Sequence, residues 1–177
     1  MGNVVAEAML ARVAGQGVTI AIQNGGGLRA SIDAGPVTMG EVYSVLPFQN
    51  TLATFEATGE TLVKALENGA SQYEDAAGRF AQVAGLKYTL DPKAEVGHRI
   101  SAVEVKSGDG WAPIDPAATY KVVTNNYVRG GGDGYKMFAD AANAYDFGPD
   151  LADVLAEWLA QQSAGFKPAV DGRITVK

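Results

Sequence analysis

The chain contains no cysteine. That one absence removes disulfides, iron–sulfur clusters, thiolate zinc sites and cysteine nucleophiles together. It leaves the compartment open, because a cysteine-free chain suits either redox setting. Histidine is nearly as scarce: His98, in "EVGHRIS", is the only one. A single imidazole cannot assemble a histidine-rich metallohydrolase site. A Ser-His-Asp triad could use it, but no G-x-S-x-G elbow is present, so His98 reads as a solvated loop residue. Lys/Arg clusters are also missing, and the net charge is −6. Without a basic stripe to neutralise phosphates, a nucleic-acid polymer is excluded as partner. A single nucleotide held by a few placed groups is not. No apolar run approaches the roughly 20 residues needed to cross a bilayer. The opening "MGNVVAEAML" lacks a basic segment followed by an apolar one, so it reads as no signal peptide. Gly2 is no myristoylation site, since Ala6 stands where Ser or Thr is usual.

What is present points to one α+β domain over residues 1–177. Asn3 is placed to cap a helix running to Val13, with Val4, Val5, Met9 and Leu10 on its apolar side. "VTIAIQ" (18–23) is a buried strand leading into "NGGGLRAS". Thr38 and Glu41 have capping-box spacing and open a short helix. "TLATFEAT" (51–58) alternates like a strand, and Thr58 caps a helix through "TGETLVKALENGA". "VAGLKYTL" and "ISAVEVK" are two strands, "SGDGWAPID" holds a hairpin turn, and "TYKVVTN" is a further strand. "PDLADVLAEWLAQQ" is an amphipathic helix and "RITV" a closing strand. Strands that follow one another directly, interspersed with helices, predict a single compact domain with a mixed β-sheet and packed helices.

Three loops carry chemistry-bearing residues. In "QNGGGLRAS", Gly26 and Gly27 sit in a run that lets backbone approach a ligand, Asn24 offers a donor and an acceptor, and Arg29 a planar fork of donors. Alone, the segment reads equally as a strand-to-loop turn. In "LPFQN", Pro47 stiffens the chain that presents Phe48, and Asn50 is a polar neighbour; phenylalanine is more often core. In "TNNYVRGGGDGYKMF", Tyr127 stands before the glycines and Asp133 between Gly132 and Gly134. That carboxylate accepts hydrogen bonds from vicinal sugar hydroxyls, or else stabilises its own turn. Taken together, two aromatics on separate loops could clasp a flat base, with Asn24 reading its edge and Arg29 and Asp133 taking the sugar. The glycines would then keep side chains out of the ligand's way.

At these residues the sequence resembles the C-terminal domain of the 5′-nucleotidase family, which includes UDP-sugar hydrolases and 2′,3′-cyclic nucleotide phosphodiesterases. "GNVVAEAML", "NGGGLRASIDAG", "LPFQNTL", "GRFAQVAGLKYTLD" and "TNNYVRGGGDGY" come in family order over nearly the whole chain. The resemblance implies that Phe48 and Tyr127 sandwich the base; Tyr127 departs from the phenylalanine common there, and its hydroxyl needs water or a partner. It implies base-edge contact at Asn24, ribose contact at Arg29 and Asp133, and a further polar contact at Asn50.

Family members cut phosphate esters with an N-terminal metallophosphatase domain that binds two divalent metals. This chain has no Asp-x-His or Asn-His-Glu motif to replace it. The resemblance therefore implies a substrate-binding domain separated from a longer periplasmic or secreted parent, with no catalytic residue, metal site or cofactor of its own. Its partners would be a nucleotide or nucleoside and the metallophosphatase domain. Two other readings stand beside it: a stand-alone small-ligand-binding module, and a domain from a relative acting on a sulfur carrier of thiosulfate oxidation.

Overall fold

Nine strands fall into two mixed sheets rather than one in the computed structural model, which describes residues 1–177. The larger has the order β3-β1-β7-β2-β8, from Ala81–Ala84, Ile20–Asn24, Thr119–Asn125, Leu52–Thr58 and Ala142–Tyr145. The smaller has the order β6-β5-β4-β9, from Gly110–Pro113, Ile100–Ser107, Leu86–Leu90 and Ile174–Val176. "VAGLKYTL", read as one strand, is cut in two at Gly85. That residue takes φ +70°, and a Cβ there would lie 1.9 Å from the Thr19 carbonyl oxygen, so only glycine fits the break between sheets.

The period-two pattern of the central strands explains the layers. Ile20, Ile22, Phe55 and Val122 face one way, into a core shared with α3 (Gly59–Ala70) and the smaller sheet. Ala21, Leu52, Ala84 and Val123 face the other way, against α1 (Gly2–Val13), α2 (Met39–Val45) and α5 (Leu151–Ala160). Buried on both faces, β1 shows the continuous burial expected of a central strand.

Local signals placed the starts of α2 and α3. The Thr38 hydroxyl accepts from Glu41 N, and Glu41 answers at the Thr38 N–H, 2.8 Å away. Thr58 caps α3 through Thr61 N. Asn3 does not cap α1: the cap position is Met1, and the Asn3 amide instead donates to the Ala169 carbonyl at 3.0 Å. Two elements escaped the sequence pattern. The four-residue helix α4 (Asn126–Arg129) is too short to show a period, and β8 is an edge strand exposed along its whole length.

Acidic groups at the surface tie these elements down. Hydrogen bonds from the Thr38 backbone N–H and hydroxyl hold Glu41 below its ordinary 4.5. Lys64 does the same for Glu60, and Arg99 for Glu74. Arg99 is itself buried and also donates to the Ala70 carbonyl at 2.8 Å, pinning the end of α3. A carboxyl whose folded pKa is depressed stabilises the fold above its unfolded value and loses that contribution as pH falls through the folded one. The urea midpoint is therefore expected to hold steady down to about pH 5 and to fall below it. Glu74→Gln should lower the midpoint at neutral pH, by leaving Arg99 half-paired, and should flatten the acid limb. An acid limb identical to wild type would contradict this role for Glu74.

Candidate functional site

The strand pairing brings the three loops to one end of the larger sheet. β1 and β7 run parallel, with Ile20 opposite Val122 and Ala21 opposite Val123, so both end at the same edge. β2 runs antiparallel to β7, with Leu52 opposite Asn125, so it begins where they end. The segment after β1, the one before β2 and the one after β7 therefore meet at the carboxyl ends of a parallel pair, a usual place for ligands in open sheets.

A cavity of about 570 Å³ opens there, lined by Asn24, Gly26, Gly27, Arg29, Phe48, Asn50, Gly78, Tyr127 and Asp133. Its size lies within the range of small-molecule pockets. All eight residues singled out in the sequence are on this wall. Phe48 is 56% exposed and Tyr127 49% exposed, so both rings present open faces. Phe48 follows Pro47 and precedes Gln49, whose φ of 52° turns the chain sharply toward Asn50.

Beneath the cavity lies a set of buried amides. Asn125 Nδ2 donates to Gln23 Oε1 at 2.8 Å and to Asn24 Oδ1 at 2.9 Å. Gln23 Nε2 also donates to Asn24 Oδ1, at 3.2 Å. The Asn125 side-chain oxygen accepts from Val128 N at 2.8 Å and so caps α4, the helix that carries Tyr127. Asn24 Nδ2 then donates to Asp133 Oδ2 at 2.7 Å. Asn24 is 3% exposed, with its carbonyl occupied twice. Its amide is turned toward Asp133, which takes one of its two N–H groups.

Asp133 is held from the other side by Tyr127. The phenol donates to Asp133 Oδ1 at 3.0 Å and accepts from Asp133 N at 3.2 Å. Its hydroxyl thus has a partner, as a half-buried phenol requires. Arg29 is exposed, and its guanidinium makes one long contact, 3.4 Å, to the Gly26 carbonyl.

The glycines serve the chain's own packing. A Cβ on Gly132 would lie 2.5 Å from the Tyr127 ring, which rests on bare backbone. One on Gly26 would lie 2.8 Å from the Gly78 Cα, where two backbone segments touch. Space for a ligand is a by-product of these approaches, not their first cause.

The second tyrosine of the loop, Tyr135, is core: it is fully buried, and its hydroxyl donates to the Arg79 carbonyl at 2.6 Å. Burial, then the nearby Asp133 carboxylate, pushes its pKa well above the usual phenol range. This bond holds the 78–80 segment against the loop and brings Gly78 to the cavity, a wall residue that sequence reading missed. A lone glycine in "AAGRF" carries no pattern that would have found it. Arg129 ties α4 down from behind, donating to the Phe138 and Ala139 carbonyls at 2.6 and 2.8 Å. Its Nε lies 3.4 Å from Asp146 Oδ1 without hydrogen-bond geometry. His98 is exposed in the turn before β5 and takes no part in this wall.

The steric argument is testable. Gly132→Ala is expected to destabilise the chain by about 1–3 kcal/mol in urea unfolding, as overpacking does, and to move the Tyr127 ring resonances. Unaltered stability and unshifted resonances would mean that the ring does not rest on this backbone.

Comparison with known proteins gives this geometry a context. The family model described as "5′-nucleotidase, C-terminal domain" matches residues 1–140. The trifunctional nucleotide phosphoesterase YfkN of Bacillus subtilis is 43% identical over 98% of this chain, which spans 12% of that protein. The human 5′-nucleotidase is 30% identical over 98% of the chain, which spans 33% of it. The crystal structure of a 5′-nucleotidase precursor from Thermus thermophilus superposes with a TM-score of 0.92 at 44% identity, over 99% of this chain and 34% of that one. A sulfate thiohydrolase, SoxB, from Thermus thermophilus shares the fold at a TM-score of 0.72 and 24% identity. This chain thus spans between 12% and 34% of the relatives named here. On the family match and these near end-to-end likenesses, it belongs to the 5′-nucleotidase family, as its C-terminal domain.

Proposed function

We propose that this domain binds nucleosides and nucleotides by base and sugar for a larger phosphoesterase. The base lies flat between Phe48 and Tyr127, Asp133 and Arg29 take the ribose oxygens, and Asn50 adds a polar contact at the rim. The observation that carries this reading is the shared cavity between two half-exposed rings from distant segments, with one carboxylate fixed at its wall. The relative named as a trifunctional nucleotide phosphoesterase, and the human 5′-nucleotidase, support it. A ring sandwich suits a planar base better than a sulfur carrier, whose reacting end has no π face.

The ester would be cut elsewhere, in a metallophosphatase domain of the parent. The chemistry supplied there is water activation at two divalent metals. The residues here hold base and sugar and leave the phosphate free to reach it. No group of three His, Asp or Glu side chains in this chain is arranged to hold a metal. No helix is long and apolar enough to cross a membrane. A periplasmic or secreted parent is part of the proposal, on family likeness alone.

Adenosine and AMP are expected to bind the purified chain with similar Kd values near millimolar, about −4 kcal/mol, in NMR or calorimetric titration. Phe48→Ala should weaken both by about 1–3 kcal/mol, the worth of one stacked face, without unfolding the domain. Normal binding by that variant would refute the stacking assignment, and micromolar AMP binding that depends on the phosphate would refute the division of labour. The chain supplied with Mn²⁺ should release no phosphate from AMP; turnover that survives repurification would do the same.

A further inference from the structure

We infer that Tyr127 determines sugar specificity through its hydroxyl, which with Asn24 locks the Asp133 carboxylate as a paired acceptor for vicinal hydroxyls and so favours ribonucleosides over 2′-deoxyribonucleosides. This rests on the nucleoside reading above and deepens it.

The geometry is specific. Each carboxylate oxygen of Asp133 receives one protein donor: Oδ1 from the Tyr127 hydroxyl at 3.0 Å, Oδ2 from the Asn24 amide at 2.7 Å. The same phenol oxygen accepts the Asp133 backbone N–H at 3.2 Å. Backbone and side chain of one residue are thus clamped by one hydroxyl. The clamp acts where it is needed, since Asp133 has φ 51° and ψ 25°, a left-handed conformation that residues other than glycine seldom adopt.

Both clamping groups are neutral, and Asp133 enters none of the ion pairs of the structure. A carboxylate has about four acceptor positions, so about two stay open, on two oxygens of one fixed plane. A cis-diol supplies two O–H donors to such a plane, and hydrogen bonds to an ionised acceptor are the stronger kind. A 2′-deoxy sugar supplies one and leaves the other oxygen unmatched.

Fixing the carboxylate before binding spares the ligand the work of ordering it. Phenylalanine at position 127 would keep the ring on Gly132 but free Oδ1 and leave the Asp133 N–H without its acceptor. The ring and the hydroxyl therefore have separable effects, one on the base and one on the sugar.

The test titrates adenosine and 2′-deoxyadenosine into wild type, Tyr127→Phe and Asp133→Asn, with amide hydrogen exchange at residue 133 as a second readout. Wild type should prefer adenosine by about tenfold, the worth of one hydrogen bond to a charged group. Tyr127→Phe should narrow that ratio to about twofold, adenosine losing more than its deoxy analogue, and should speed exchange at Asp133 N. Asp133→Asn should bring adenosine close to the deoxy ligand. If wild type binds both ligands and Tyr127→Phe keeps the full ratio or weakens both equally, the hydroxyl inference falls and the base site stands. If wild type binds both ligands equally, the carboxylate does not read the sugar and the inference falls. If wild type binds neither, the nucleoside reading falls and takes this one with it.

Discussion

The constraint on which the site depends is the need of three buried side-chain amides to pair. Gln23, Asn24 and Asn125 lie at the ends of parallel strands with almost no access to water. A buried amide left unpaired costs free energy comparable to several good contacts. The solution found is mutual: Asn125 gives both its protons to Gln23 and Asn24 and takes one from Val128. With its carbonyl filled, Asn24 can turn only its N–H face outward, and Asp133 is what it meets. One cluster thus sets the start of α4, and with it the Tyr127 ring, as well as the angle of the carboxylate. A buried network of this sort rigidifies when complete and fails as a unit when one member is lost.

What the sequence made legible was local or collective. Caps at Thr38 and Thr58 depend on three-residue spacing and could be read directly. The membership of the wall could be read because three weak loops occur in family order. Less legible were matters decided by partners far along the chain. Asn3 looks like a cap until Ala169 claims its amide. Tyr127 and Tyr135 look equivalent in one loop, yet one stands half in solvent while the other is sealed beneath it. The glycines invited a ligand-based explanation, whereas backbone against backbone at Gly26 and Gly78, and ring against backbone at Gly132, account for them first. Asn24 lines the wall, but its orientation depends on Asn125, which no sequence spacing reveals.

The two sides of the cavity are held by different means. Tyr127 is seated on Gly132, capped by Asn125 through α4 and tied behind by Arg129, so its wall is stiff. Phe48 hangs between Pro47 and Gln49 on an exposed bend after α2. The Phe48 ring is thus held by its own short segment, and the Tyr127 ring by contacts from several others.

The Asn24–Gly25 pair has a further consequence, for chemical ageing. In a loose chain, the glycine nitrogen attacks the asparagine side-chain carbonyl carbon, ammonia leaves, and hydrolysis of the cyclic imide yields aspartate and isoaspartate. Here the Gly25 nitrogen donates to the Phe80 carbonyl at 2.8 Å and the asparagine side chain is locked in place, so the attack is blocked. Deamidation would set a second carboxylate against Asp133, two like charges at hydrogen-bond distance. The fold therefore shelters this one of its two Asn-Gly pairs, the other being Asn68–Gly69, where a new carboxylate would face Asp133, and each excursion to the unfolded state exposes it.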